Sequence, residues 1–290
     1  MNPRLSRFAK AYFDDKIALA GFIGVVVLIL LAIFAPLIAP QNPYDLAQLT
    51  IVDGRLPPGS EGTTGIYYLL GTDEQGRDML SAILYGLRTS LIVGIVSVML
   101  ALVIGGVIGL ISGYVGGWVD AFIMRTVDLQ LSIPTILVAL ILLATLGKGI
   151  DKIIIALVVA QWAIFVRIAR AAVLVEKEKD YIAAAQCQAL GRWRILFTQL
   201  APNCVSPLIV MAAISVAGAI SLEATLSFLG LGVPITRPSL GLLISNGFEY
   251  LLSGRYWIST FPGLALVVVI VCINLVGDRL SDVLNPRLDT

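Results

Sequence analysis

Histidine is absent from this 290-residue sequence, which removes the commonest general base and the commonest metal ligand. Charged residues are few, at 13% of the chain, where soluble domains have about 25%. No G-x-x-x-x-G-K-[ST] loop is present to hold nucleotide phosphates, and a net charge of +1 argues against a nucleic-acid partner. Cysteine is also scarce. The three widely spaced cysteines show no metal-binding spacing and are interpreted as packing residues: Cys187, Cys204 and Cys272. These absences give little support to an enzyme.

Apolar residues, in contrast, make up 58% of the chain and form six long runs. A helix rises about 1.5 Å per residue, so roughly 20 apolar residues cross a hydrocarbon core of about 30 Å. The runs therefore predict an all-α polytopic membrane protein with six transmembrane helices. The predicted spans are residues 17–40, 89–112, 129–146 with a kink at Pro134, 153 to beyond Arg167, 205–226, and 261–276.

The distribution of lysine and arginine predicts the orientation of these spans. Six spans place both termini on one side, and most of the 20 basic residues fall on that side. By the positive-inside rule, residues 1–16 and the tail 278–290 are expected to be cytoplasmic, and residues 41–88 external. Residues 89–277 then form a core of five spans.

A polar segment, residues 176–203, separates the fourth and fifth spans and is longer than a simple connection needs. It predicts two short helices with a bend at Leu190–Gly191, and Pro202 is expected to end the helical pattern. Apolar faces on such helices would fit a groove in a partner protein; a plain connecting loop is the alternative. The second helix is expected to carry an amphipathic stripe of Leu190, Trp193, Phe197 and Leu200.

Several motifs resemble one family in the order in which they occur along the chain. LGTDEQGRDMLS at 70–81 is similar to the L-G-T-D-x-x-G-R-D-x-x-S signature of peptide-importer permeases. Residues 119–134, 224–234 and 261–287 are similar to the same group. The polar segment resembles the E-A-A-x-x-x-G loop of these proteins, laid on Ala183, Ala184, Ala185 and Ala189, with alanine in place of both the acid and the glycine. The chain thus resembles the second permease of the dipeptide, oligopeptide and nickel group of binding-protein-dependent ABC importers.

This resemblance implies a type I ABC importer permease fold in a bacterial inner membrane, with residues 41–88 in the periplasm. It implies three kinds of partner besides the lipid bilayer: a second homologous permease, two cytoplasmic ATPase subunits and a periplasmic solute-binding protein. ATP and Mg would be bound by the ATPases, so no cofactor is expected in this chain. The residues that the resemblance assigns to coupling with the ATPases are Asp180, Ala183, Ala184, Ala185, Ala189, Gly191 and Pro202.

The periplasmic motif leaves two interpretations open. Asp73, Gly76, Arg77 and Asp78 either shape a turn before an interfacial helix or contact the binding protein or partner permease directly.

Charged residues in or beside the spans also allow alternatives. Glu223, near the outer end of the fifth span, either faces the substrate path or reaches lipid headgroups. Arg167 and Arg170 lie three residues apart on one helical face and either snorkel to the interface or face the bundle. A structural ion-pair cluster is expected among Asp120, Arg125 and Asp128. Small residues spaced four apart predict close helix packing: Gly105, Gly109 and Gly113.

The predicted function is that of a permease subunit for peptides, working by alternating access driven by ATP hydrolysis on partner subunits. The same role for nickel or another small solute is the first alternative. A self-sufficient secondary transporter is the alternative from a different class, although no run of paired intramembrane acids and histidines suggests a proton relay.

Overall fold

The computed structural model describes residues 12, 15–45, 49–63, 65–234 and 236–284, and within them the chain is almost entirely helical. Five helices are long and apolar enough to cross a membrane, and a bent pair makes a sixth span if it is counted as one. The five long helices are α1 (Lys16–Ile33), α3 (Met79–Val115), α6 (Ile150–Glu176), α10 (Val205–Phe228) and α12 (Trp257–Leu284). The all-α, multi-span fold class is therefore confirmed.

The first span is shorter than predicted. Asp15 caps α1 by accepting a hydrogen bond from the Ile17 amide at 2.8 Å. The helix ends at Phe34, and a separate short helix, α2 (Ala35–Ile38), carries Pro36 in its first turn. Proline is tolerated there because the first amides of a helix have no intrahelical acceptor.

The second span begins ten residues earlier than the predicted residue 89. Asp78 caps α3, since its Oδ2 accepts a hydrogen bond from the Ser81 amide at 2.7 Å. The helix has 37 residues and, at about 1.5 Å each, exceeds the thickness of a hydrocarbon core. The helix therefore extends beyond the core at one end or both, and its first turns belong to the segment that the sequence assigned to the periplasm.

The predicted third span, 129–146 with a kink at Pro134, is divided between two helices. Its first residues belong to α4 (Gly117–Ser132), and α5 (Thr135–Leu146) leaves at an angle of 88°. Pro134 forces this break because the residue before a proline is driven to extended geometry, and Ile133 has φ −95° and ψ 130°. The expected kink is confirmed in position, but it is a sharp corner.

Helices α3 and α6 run parallel, and glycines set their spacing. A Cβ at Gly105 would lie 2.3 Å from the Trp162 carbonyl oxygen, and one at Gly109 would lie 2.4 Å from the Val166 carbonyl oxygen. Gly113 meets Val173 one turn further on. The predicted glycine stripe is confirmed, because no larger residue would let the two backbones approach this closely.

The remaining long helices complete the bundle. Helix α10 packs against α3 and α12, and α12 also contacts α1 and the short helix α11 (Leu240–Phe248). Helix α12 outruns the predicted 261–276 at both ends and contains Pro262. It includes the start of the predicted tail, whereas residues 285–290 and most of segment 1–16 lie outside the described residues.

Candidate coupling and translocation sites

The polar segment at the end of α6 folds as two helical pieces joined by a tight break, as predicted. The first piece is α7 (Asp180–Cys187). The second is continuous from α8 (Arg192–Arg194) through a π-helix (Ile195–Leu200) to α9 (Ala201–Asn203), which leads into α10. Asp180 opens α7, where its negative charge is favourable to the helix dipole.

A Schellman motif ends α7, with Ala189 at the position that usually requires glycine. The Leu190 amide donates to the Ala185 carbonyl oxygen at 3.3 Å, and the Ala189 amide donates to the Gln186 carbonyl oxygen at 2.9 Å. Ala189 has φ +54°, in the left-handed region that L-residues avoid. The expected bend is therefore made at Ala189, while Gly191 has φ −61° and space around its Cα.

The alanines of the segment do not all face the same way. Ala183, Ala184 and Ala189 are exposed, whereas Ala185 is only 7% exposed and packs in the core beside Ile182. The expectation that Ala185 belongs to the contact surface is wrong, because its place on α7 turns it toward the bundle.

The residues of the predicted apolar stripe do not share one environment. Leu200 is buried, whereas Trp193 and Phe197 are exposed and their ring centroids lie 6.2 Å apart in a stacked arrangement. The buried partners of Leu200 are Ile195 and Leu196. Hydrogen bonds in a π-helix span five residues, so residues 195 and 200 share a face that α-helical spacing does not predict.

Pro202 does not end the helical path, contrary to the prediction. It lies in α9, directly after the π-helix, and the chain turns at Cys204 into α10. Proline has no amide hydrogen for the preceding turn, and here it marks the point where the loop becomes a span.

A polar clasp of three side chains, Glu176, Tyr181 and Asn203, ties the loop to both flanking spans. The Tyr181 hydroxyl donates to Glu176 Oε1 at 2.8 Å and accepts from Asn203 Nδ2 at 3.1 Å. Lys179 adds an ion pair to Glu176 at 2.7 Å. Burial, and then the hydrogen bond to Glu176, raise the pKa of Tyr181 to about 12, so the hydroxyl keeps its proton. The sequence did not predict this clasp, because its three polar residues belong to no recognisable motif. Tyr181 and Asn203 are 22 residues apart.

At the opposite end of the bundle, the motif at residues 70–81 forms a closed turn. Asp73 Oδ1 accepts hydrogen bonds from the Gln75 and Arg77 amides at 2.8 and 2.9 Å, and Thr72 bridges to Asp78. Gly76 has φ +77°, and a Cβ there would lie 2.2 Å from the Thr50 carbonyl oxygen.

Burial favours the turn-shaping interpretation over direct partner contact. Asp73, Arg77 and Asp78 are each 1% exposed. Burial raises the pKa of Asp73, against the hydrogen bonds from the Arg77 and Gln75 amides, which lower it. A two-stranded hairpin of Ser60–Glu61 and Tyr67–Tyr68 completes this outer region.

The two outer segments of the chain pack on each other. The guanidinium of Arg55 lies 4.7 Å from the ring centroid of Tyr250, whose hydroxyl donates to Glu74 at 3.0 Å. Trp257 Nε1 donates to the Thr72 carbonyl oxygen at 3.3 Å. Residues 49–78 and 239–257 therefore share one end of the bundle, as six spans require.

Glu223 lies inside the bundle, at the junction of α3 and α10. Its side chain is fully buried and accepts hydrogen bonds from the Ser90 and Ser227 hydroxyls, both at 2.7 Å. In this conformation the carboxylate does not reach lipid headgroups. Its assignment to the substrate path stays a prediction.

The acidic residues of α4 form ion pairs with arginines of α6, and not with Arg125 on their own helix. Asp120 holds Arg170 through two hydrogen bonds of 2.5 and 2.6 Å, and Asp128 holds Arg167 at 2.7 Å. Within the described residues Arg125 forms no ion pair, so its place in the predicted cluster is wrong. Arg170 thus faces the bundle, the second of the two alternatives, whereas the side chain of Arg167 is about half exposed together with that of Asp128.

Two known protein families match most of the chain. Residues 105–290 match the family described as binding-protein-dependent transport system inner membrane component. Residues 4–58 match the N-terminal TM domain of oligopeptide transport permease C.

Relatives match over nearly the full length. The dipeptide transport system permease protein DppC of Escherichia coli (strain K12) is 42% identical over 284 residues, which is 98% of this chain and 93% of that protein. The di/tripeptide transport system permease protein DppC of Pseudomonas aeruginosa (strain UCBPP-PA14) is 37% identical, over 98% and 92%. An inward-facing structure of the MetNI methionine ABC transporter is similar in fold, with a TM-score of 0.57, 22% identity, and 71% of this chain and 98% of that chain covered.

Proposed function

Because the chain belongs to the binding-protein-dependent transport system inner membrane component family, we propose that it is the permease subunit of an ATP-driven dipeptide importer. The observation that carries the proposal is the loop of residues 177–203, which exposes small and aromatic side chains while the Glu176–Tyr181–Asn203 clasp fixes it to two spans. The named substrates of the relatives above support a dipeptide as the cargo.

The clasp offers a physical route for coupling. A push on the exposed face of α7 reaches Tyr181, and the hydrogen bonds of its hydroxyl pass the displacement to Glu176 on α6 and to Asn203 at the start of α10. Because α6 also packs along the glycines of α3, a tilt of α6 carries α3 with it. Rigid packing transmits such displacements because interiors are dense.

Partner subunits would complete the transporter. Without a phosphate loop in this chain, two cytoplasmic ATPases would bind ATP and Mg, and a periplasmic binding protein would deliver the peptide. A row on α3 that includes Ile92, Met99 and Val103 is exposed and apolar, which fits contact with lipid or with a second permease.

Charge and architecture together support one orientation. The excess of lysine and arginine supports a cytoplasmic position for both termini and the coupling loop. The packed outer segments 49–78 and 239–257 lie at the opposite end and would receive the binding protein.

The test is uptake by the whole complex, purified through a tag on this chain and placed in proteoliposomes with its binding protein. Labelled dialanine should enter only when ATP is supplied on the ATPase side, and excess nickel should not compete. Nickel uptake without dialanine uptake would favour the small-solute alternative. Uptake by the isolated chain without ATP would favour a secondary transporter.

A further inference from the structure

A cleft of about 540 Å³ opens at the outer end of the α3–α6 pair, opposite to the coupling loop. Ile92 of α3 and Ile150 at the start of α6 form its apolar wall, and the segment before α11 closes one side. Its volume lies in the range of small-molecule sites, about 300–1,000 Å³. Of the residues given a role above, Ile92 of the exposed α3 row is the one that lines it.

Two arginines lie in this cleft, Arg88 from α3 and Arg237 from the segment before α11. Both are exposed, and within the described part of the chain neither forms an ion pair. The two arginines of α6, Arg167 and Arg170, are in contrast each paired with an acid. Arg88 and Arg237 thus have guanidinium donors that no acid of the described chain satisfies.

The rest of the lining also favours a ligand with negative charge. The hydroxyl-bearing residues Tyr44 and Thr236 are exposed at the cleft, and no acidic residue is among the described residues that line it. The ring of Tyr44 is held edge-on against Tyr85, with centroids 4.9 Å apart. A cleft with charge of one sign and apolar walls concentrates the electric field on an incoming anion.

We propose that Arg88 and Arg237 form the entry site for the free C-terminal carboxylate of the peptide, an inference that rests on the proposed function. A guanidinium pairs with a carboxylate through two parallel hydrogen bonds, which fixes the orientation of the ligand as well as its charge. The peptide released by the binding protein would bind here before it moves along α3.

The experiment compares Arg88→Gln and Arg237→Gln in the complete complex with wild type, measuring dialanine uptake and ATPase stimulation at increasing concentrations of loaded binding protein. Loss of a charge-assisted pair predicts a fall in uptake of about ten-fold, with the half-saturating concentration of binding protein unchanged. Arg88→Lys should retain much of the uptake. Lys148→Gln, an exposed basic residue at the same end of the bundle but outside the cleft and outside segments 49–78 and 239–257, is the control and should behave as wild type.

Three results would overturn the inference while wild type still imports dialanine. Unchanged uptake in both glutamine variants would show that the arginines do not handle substrate. A higher half-saturating concentration would show that they hold acidic groups of the binding protein. An effect that vanishes when vesicles of phosphatidylcholine alone replace those containing phosphatidylglycerol would assign them to lipid headgroups. Failure of wild type to import dialanine would instead contradict the proposed function.

Discussion

Ala189 has a backbone conformation that alanine adopts at a cost, so replacing it with glycine should strengthen the coupling loop. A left-handed φ costs an L-residue roughly 1–2 kcal/mol, while glycine gives back roughly 0.5–1 kcal/mol through the entropy of the unfolded chain. Ala189→Gly should therefore stabilise the end of α7 by about 0.5–1 kcal/mol. The hydrogen bonds of Leu190 and Ala189 that close the motif stay available to the variant.

Hydrogen exchange of the amides of residues 188–190 measures this local stability directly, because they become accessible when the motif opens. The predicted gain corresponds to exchange slowed by about two- to five-fold. Ala184→Gly is the matched control: the same substitution in the same short helix, at an exposed position with helical geometry. It should weaken α7 and speed exchange by a similar factor, since glycine within a helix costs roughly 0.5–1 kcal/mol.

The two variants must change exchange in opposite directions. Slower exchange in both would point to a general effect of glycine on the loop. Faster exchange in both would show that Ala189 does not hold a left-handed conformation, and the Schellman motif would then not be the joint of the loop.

Four further substitutions probe the path from the loop to the spans. Tyr181→Phe removes the hydroxyl that joins Glu176 to Asn203 and should lower uptake, with about 1–3 kcal/mol lost from the loop; normal uptake by an assembled complex would exclude the clasp as a coupling element. Ala185→Trp should lower the thermal stability of the permease itself by about 1–3 kcal/mol of overpacking, whereas Trp at the exposed Ala184 should reduce co-purification of the ATPases and leave that stability intact. Gly109→Leu should prevent assembly, because its Cβ meets the opposing backbone; normal yield in a membrane extraction would contradict the close packing of α3 and α6.

Apolar run length was sufficient to predict the five long spans and their order, because the membrane imposes a minimum length on every crossing helix. The sixth predicted span is found only if the bent pair α4 and α5 is counted as one. The predicted helix ends were wrong where the capping residue lies in a polar segment. Asp78 starts α3 ten residues before its uncharged run begins, and Pro134 predicts a break but not its angle of 88°.

The site was predicted less completely, for two physical reasons. A glycine at position 189 would have indicated a left-handed backbone conformation, but the residue there is alanine. The π-helix, in turn, gives its buried residues a spacing that differs from that of an α-helix. Long-range partners also leave no local pattern: Ser90 is 133 residues from Glu223, and Asp120 is 50 residues from Arg170. The turn at residues 73–78 could be predicted from the sequence, because its members lie within six residues of one another and form local hydrogen bonds.

The central claim is that the exposed face of α7 is the surface on which the ATPases act. A photo-crosslinking amino acid placed at Ala184 in the purified complex tests it directly, with the same probe at Leu252, a fully exposed residue of the outer end, as the control. Irradiation should join the ATPase subunit to the position 184 variant and not to the position 252 variant. An ATPase crosslink at position 252, or none at 184 in a complex that still hydrolyses ATP and imports dialanine, would contradict the account.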